Sequence, residues 1–160
     1  PHWSYNVNKK KTFEMIEAIS FLDNVILYIK PHTRESGNIS KAQINNFKNN
    51  IKYISNETSF ELIRKTDIVI AFGTSIIFEA ILQNKYVINP KYLHTNRTIF
   101  DNENSIYQAE NLEEVMKKIK HIKKTRPVIN IDDYKKILKK YVYNNSESEP
   151  LDSYIDLLVR

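Results

Sequence analysis

Cysteine is absent from this 160-residue chain, and glycine occurs only twice, at Gly37 and Gly73. The first absence removes disulfide frameworks, thiolate metal sites and thiol nucleophiles. The second removes two phosphate-binding signatures: neither a G-x-G-x-x-G dinucleotide turn nor a P-loop can be written with glycines so placed. No apolar run approaches the roughly 18 residues of a membrane helix, and no secretory signal opens the sequence. Cytoplasm is therefore the default location. The four histidines, His2, His32, His94 and His121, lack metal-ligand spacing, so no metal is expected. His2 and His121 look incidental.

What remains is the make-up of a soluble globular domain, 41% hydrophobic and 27% charged. By length this is one domain, large enough for a proper core. The chain begins at Pro1 rather than Met, which reads as a piece cut from a longer protein. The net charge of +5 invites a nucleic-acid reading. Much of the excess, however, lies in Lys117, Lys118, Lys120, Lys123, Lys124 and Arg126, then Lys135, Lys136, Lys139 and Lys140. Both groups fall on amphipathic helical patterns and read as solvated faces. Asn, Lys and Ile are plentiful, as A+T-rich coding alone would produce. No nucleic-acid partner is expected, while contact with an anionic membrane surface is permitted.

The organising stretch is 67–90, DIVIAFGTSIIFEAILQNKYVINP. Residues 68–72 are apolar and β-branched enough for a buried parallel strand. Gly73 breaks the run, Thr74 or Ser75 can cap a helix over 76–82, and a second buried run over 86–89 closes at Pro90. This is a βαβ unit whose first turn aims backbone N–H groups outward, a geometry that holds phosphate. Glu79 lies one helical turn after Ser75, so both can share a face. Either it serves a ligand there or it is a surface carboxylate on the exposed stripe.

In chain order, residues 8–22 read as a helix with Phe13, Ile16 and Ile19 inward. A buried strand over 25–29 runs into the polar loop Lys30-Pro31-His32-Thr33-Arg34-Glu35. Asn38 or Ser40 caps a helix to about 49, and 51–54 is a short strand followed by Ser55-Asn56-Glu57. Thr58 or Ser59 starts a short helix with Phe60, Leu62 and Ile63 inward. After Pro90 comes a polar loop to 104 carrying Tyr92, His94, Asn96 and Arg97, then an edge strand over 105–108. Asn111 caps a helix over 112–124, with Leu112, Val115, Met116, Ile119 and Ile122 as its inner stripe. A further helix over 132–143, a polar link over 144–149 and a last helix over 151–159 complete the chain. The alternation predicts an α/β fold, a Rossmann-like parallel sheet with helices on both faces. In such sheets ligands gather at the carboxyl ends of the strands. The His32 loop, the Asn56 loop, the Gly73 turn and the loop after Pro90 all fall on that edge.

These motifs resemble the C-terminal half of GT-B-type glycosyltransferases, above all bacterial enzymes of surface-polysaccharide synthesis (capsule, lipopolysaccharide, teichoic acid). The likeness covers roughly 25–120 and rests on Lys30-Pro31-His32-Thr33, on Gly73-Thr74-Ser75 with Glu79, on 84–90, and on the helix start at 110–115. It departs from the family pattern at Thr33, where a second proline is usual, and in Asn84-Lys85-Tyr86, which lacks a glycine and a proline. It implies a nucleotide-sugar-binding domain over 25–125, a lead-in helix over 1–24 and C-terminal helices over 126–160.

The resemblance also implies roles. Gly73, Thr74 and Ser75 would hold the donor phosphates, and Glu79 the ribose hydroxyls. His32 would stabilise the leaving phosphate, with Lys30 and Arg34 as secondary charges, and the backbone around Asn56 would read the base. His94 and Arg97 could face the acceptor. The nucleotide sugar enters as substrate, and no cofactor is implied. A GT-B enzyme needs an N-terminal half for acceptor binding, which the 24 residues before Val25 do not supply. The chain is therefore expected to catalyse nothing alone. It would work at the inner face of the membrane if it meets lipid. Two alternatives stand beside this reading: a sugar-nucleotide 2-epimerase-like enzyme, and a non-catalytic Rossmann-like module that docks through its basic helices.

Overall fold

The computed structural model describes residues 7–31, 39–44, 47, 50–54 and 56–143. The elements run α1 (Lys9–Ser20), β1 (Leu27–Ile29), α2 (Lys41–Ile44), β2 (Ile51–Tyr53), α3 (Ser59–Arg64), β3 (Ile68–Ile70), α4 (Ile76–Leu82) and β4 (Tyr86–Pro90). A single 3₁₀ turn (Lys91–Leu93), β5 (Tyr107–Ala109), α5 (Leu112–Thr125) and α6 (Ile131–Tyr141) follow. The expected α/β alternation is present, and among the described residues the named strands pair in parallel, with one isolated antiparallel bridge between Val7 and His94. The sheet is divided, however: β1 pairs with β2, and β3, β4 and β5 form a separate three-stranded sheet with β4 central.

Strands are shorter than their apolar runs because other groups claim the flanking backbone. The Asn50 side-chain amide donates to the Val25 carbonyl at 3.0 Å, so the β1 ladder opens only at Leu27. Residues leading into β5 are spent on a turn, with the Ile106 N–H on the Glu103 carbonyl at 3.1 Å. Pairing therefore starts at Tyr107, two residues later than the sequence suggested.

Helix starts follow their local signals. Thr58 caps α3 in a complete capping box with Glu61. Asn111 accepts from the Glu114 N–H at 2.9 Å to start α5, and Asn130 starts α6. One inward assignment fails: Phe60 is 55% exposed, and α3 buries Leu62 and Ile63 instead. The expected extension of α2, its candidate cap Asn38 and the last helix over 151–159 lie mostly or wholly outside the described residues.

The central strand shows why both sheet faces are covered. Val87 packs into a cluster with Ile77, Ile81, Ile137 and Leu138, drawn from α4 and α6. Its neighbour Ile88 points the other way, into Met15, Ile19, Val115, Ile119 and Ile122 of α1 and α5. A third cluster of Ile16, Ile29, Ile39 and Ile44 lies around the two-stranded sheet. Leu27 packs against both this cluster and the second, so apolar contact bridges the gap between the sheets. The Tyr134 hydroxyl donates to the Lys85 carbonyl at 2.8 Å and the Tyr86 hydroxyl to the Pro127 carbonyl at 2.7 Å. Together they clasp α6 and its leading link to the start of β4.

Candidate functional site

The chain leaves β3 through Ala71 and Phe72 and turns at Gly73, which sits at φ +59°. That left-handed conformation suits glycine, and the surroundings demand it as well. A Cβ on Gly73 would lie 3.3 Å from the Thr98 methyl and 3.6 Å from His94 Nε2. The loop after β4 is thus folded directly against the turn. Both Gly73 and Ser75 are exposed, so the turn opens to solvent. The backbone N–H groups of Gly73, Thr74 and Ser75 have no protein acceptor among the described residues.

The turn does not cap its helix as the sequence suggested. Ser75 occupies the cap position but its side chain makes no capping hydrogen bond, and at φ −60°, ψ −18° its backbone is already helical rather than in the extended conformation a capping residue adopts. Thr74 Oγ1 makes only a 3.4 Å contact with the Ile76 N–H. The Ser75 hydroxyl is left for another partner. Glu79 is half-buried on α4, one turn after Ser75. Among the described residues its carboxylate makes neither a hydrogen bond nor an ion pair. Glu79 is thus half-buried and, among the described residues, without a partner.

The other anticipated residues behave differently. Lys30, just past β1, donates through Nζ to the Glu57 carbonyl at 2.6 Å, which ties the β1 loop to the β2 loop. Asn56 is exposed in that second loop. Both lie at the carboxyl ends of strands of the two-stranded sheet, whereas the Gly73 turn follows a strand of the separate three-stranded sheet. His32 and Arg34 lie outside the described residues.

His94 is the residue that sequence reasoning undervalued. Its ring sits 6.4 Å from that of Phe72, centroid to centroid, and Nε2 faces Gly73. Nδ1 lies 2.8 Å from the Asn96 carbonyl and 3.2 Å from the Asn96 N–H. If Nδ1 accepts from that N–H, Nε2 carries the proton of the neutral ring. If it donates to the carbonyl, Nε2 gains a proton only in the imidazolium. In the neutral ring with Nδ1 protonated, Nε2 is an acceptor; in the other neutral tautomer and in the imidazolium, Nε2–H is a donor directed at the turn.

A buried network holds this loop in place. Asn89, 1% exposed at the end of β4, donates to Asp101 Oδ1 at 3.1 Å and to Gln108 Oε1 at 2.9 Å. Asp101 also accepts from the Thr98 N–H at 3.0 Å and the Thr98 hydroxyl at 2.7 Å. Burial alone would raise the Asp101 pKa, but the Thr98 and Asn89 hydrogen bonds, aided by the Lys91 charge, outweigh it and hold the carboxyl below its ordinary value. The signal was present in the sequence: an asparagine inside the apolar run of residues 86–90, which must find partners when buried.

No protein-family model, curated protein or solved structure matches this chain.

The chemistry is accordingly read from these residues. Free N–H groups, a free hydroxyl and an imidazole can receive an oxyanion, and an unpaired carboxylate one helical turn away can accept from hydroxyl groups.

Proposed function

We propose that this chain is the donor-binding half of a GT-B-type glycosyltransferase, or of a related sugar- or polyol-phosphate transferase. Its substrate would be a nucleotide sugar used in surface-polysaccharide synthesis. One observation carries the reading: the N–H groups of Gly73, Thr74 and Ser75, without an acceptor among the described residues, precede by one helical turn the Glu79 carboxylate, unpaired among the same residues, and His94 Nε2 approaches Gly73. An anion donor set beside a lone hydroxyl acceptor suits a molecule that joins a phosphate to a ribose. In this reading the turn and His94 take the phosphate, Glu79 takes the ribose hydroxyls, and the Asn56 loop would read the base. His32 and Arg34 would add charge near the leaving phosphate. Acceptor binding belongs to a second half, so the chain alone turns nothing over.

The test is a thermal-shift panel of UDP, CMP, CDP, GDP and their sugars on the native chain and on Glu79→Ala. A ligand at about 100 times its Kd stabilises the native state by about 2.7 kcal/mol. A base-selective rise in the midpoint that disappears in Glu79→Ala is the expected result. Equal shifts in both proteins, or none with any nucleotide, would remove the donor site. Sugar transfer by the 160-residue chain acting alone would overturn the division of labour.

A further inference from the structure

The α5–α6 link presents an uncommon surface. Val128 is 97% exposed and Ile131 49% exposed, yet the link is not loose: the Tyr86 hydroxyl holds the Pro127 carbonyl at 2.7 Å. Just before it, Arg126 sits at φ +41°, a left-handed helix end where glycine is the ordinary choice. A cation is thus kept at a strained position beside an apolar side chain pinned out in solvent.

The preceding helix continues the pattern. Between Met116 and Ile131 the sequence holds Lys117, Lys118, Lys120, Lys123, Lys124 and Arg126 and no carboxylate. Val115, Ile119 and Ile122 define the buried side of α5, so Lys117, Lys120, His121 and Lys124 form one row on the opposite side. Lys123 donates to the Asp23 carbonyl at 2.5 Å. The side chains of the Lys117, Lys120, Lys124 and Arg126 cations make no hydrogen bond or ion pair among the described residues.

Complementing the helix dipole explains cations in the last turn, Lys123 and Lys124, but not Lys117 and Lys120 in mid-helix. Opposing charge stands at the N-terminal end of the row, where Glu113 lies one helical turn before Lys117 on the same outer face. Glu113 and Glu114 occupy the first turn of α5. Asp132 and Asp133 open α6, with Asp133 already engaged by Lys136 at 2.7 Å.

We propose that the outer row of α5 and the pinned Arg126-Pro127-Val128 tip dock on an anionic lipid surface. Lysines acting as separate point charges suit a diffuse layer of headgroup phosphates better than the bidentate recognition that arginine favours. The exposed valine beside them has an apolar counterpart at the acyl boundary of a membrane, and the phosphate backbone of a nucleic acid offers none. The surface is independent of the nucleotide reading, and its test contains no nucleotide.

The test is flotation of the full chain with vesicles of phosphatidylcholine, pure or mixed with phosphatidylglycerol. Partition into the mixed vesicles only, weakening as salt rises to about 0.15 M, is expected. The triple variant Lys117→Gln/Lys120→Gln/Lys124→Gln should lower partition on the order of 100-fold, and Val128→Ser several-fold, both with unchanged thermal midpoints. Val128→Ser alters a side chain with almost no protein contact, so it still decides the matter if the triple variant proves unstable. Equal binding to neutral vesicles, no binding to either, or unchanged partition of Val128→Ser would overturn the proposal. So would tighter binding to a mixed-sequence duplex oligonucleotide than to the anionic vesicles.

Discussion

Three hydrogen bonds converge on Asp101, two from Thr98 and one from Asn89, and they make one carboxylate a pH-sensitive fastener for the loop that carries His94. Its folded pKa lies below the ordinary 3.8, so on acidification the unfolded chain takes up this proton first. The stability it contributes is whole above that ordinary value and is lost as pH falls through the folded one. Urea midpoints measured from about pH 6 down to about pH 3 should therefore drop more steeply for the native chain than for Asp101→Asn, which starts lower. Parallel curves would show that the hydrogen bonds do not favour the charged form. This fastener was only half legible beforehand. Asn89 was read simply as the end of a buried run, although a polar residue there needs partners, and those partners lie 12 and 19 residues away. Nothing local says which turn an asparagine will hold. For the same reason the sequence placed His94 in a loop that could face the acceptor and gave no sign that its ring would pack against the Gly73 turn.

Helices and strands differ in how far their limits can be foreseen. A helix start is a contract among neighbours three residues apart, which is why Asn111 was recognised and Thr58 was one of two candidates, whereas Asn130 went unnamed before the helix expected from 132. Asn111→Ala should cost about 1 kcal/mol in chemical denaturation, and Asn111→Asp far less. Equal losses would mean that the Glu114 N–H finds another acceptor. Strand limits depend on distant groups, as when the Asn50 amide claims the Val25 carbonyl. Inward-facing assignments suffer in short helices: over the six residues of α3 a periodic pattern has too few repeats to say that Phe60 faces out.

The alternation of strand and helix identified an α/β protein with parallel pairing, because that inference needs only the order of elements. It missed the division into two sheets, which the order of elements does not encode. Cohesion across the molecule comes from packing, and α6 is a sensitive probe of it. Ile137, 2% exposed, shares its cluster with Val87 and Ile77. Ile137→Ala should cost about 2–5 kcal/mol and lower the heat-unfolding midpoint within a single transition. A separate early step would instead mark α6 as its own cooperative unit. The clasp from Tyr86 to Pro127 and from Tyr134 to Lys85, spanning 41 and 49 residues, carries a consequence for biosynthesis. β4 cannot be flanked on both edges until β5 has been made, and its leading end stays unlatched until Tyr134 clears the ribosome. For much of its translation, the nascent chain therefore exposes an unfinished sheet, and ribosome-stalled lengths ending before that tyrosine should be digested faster by protease than those ending well beyond it.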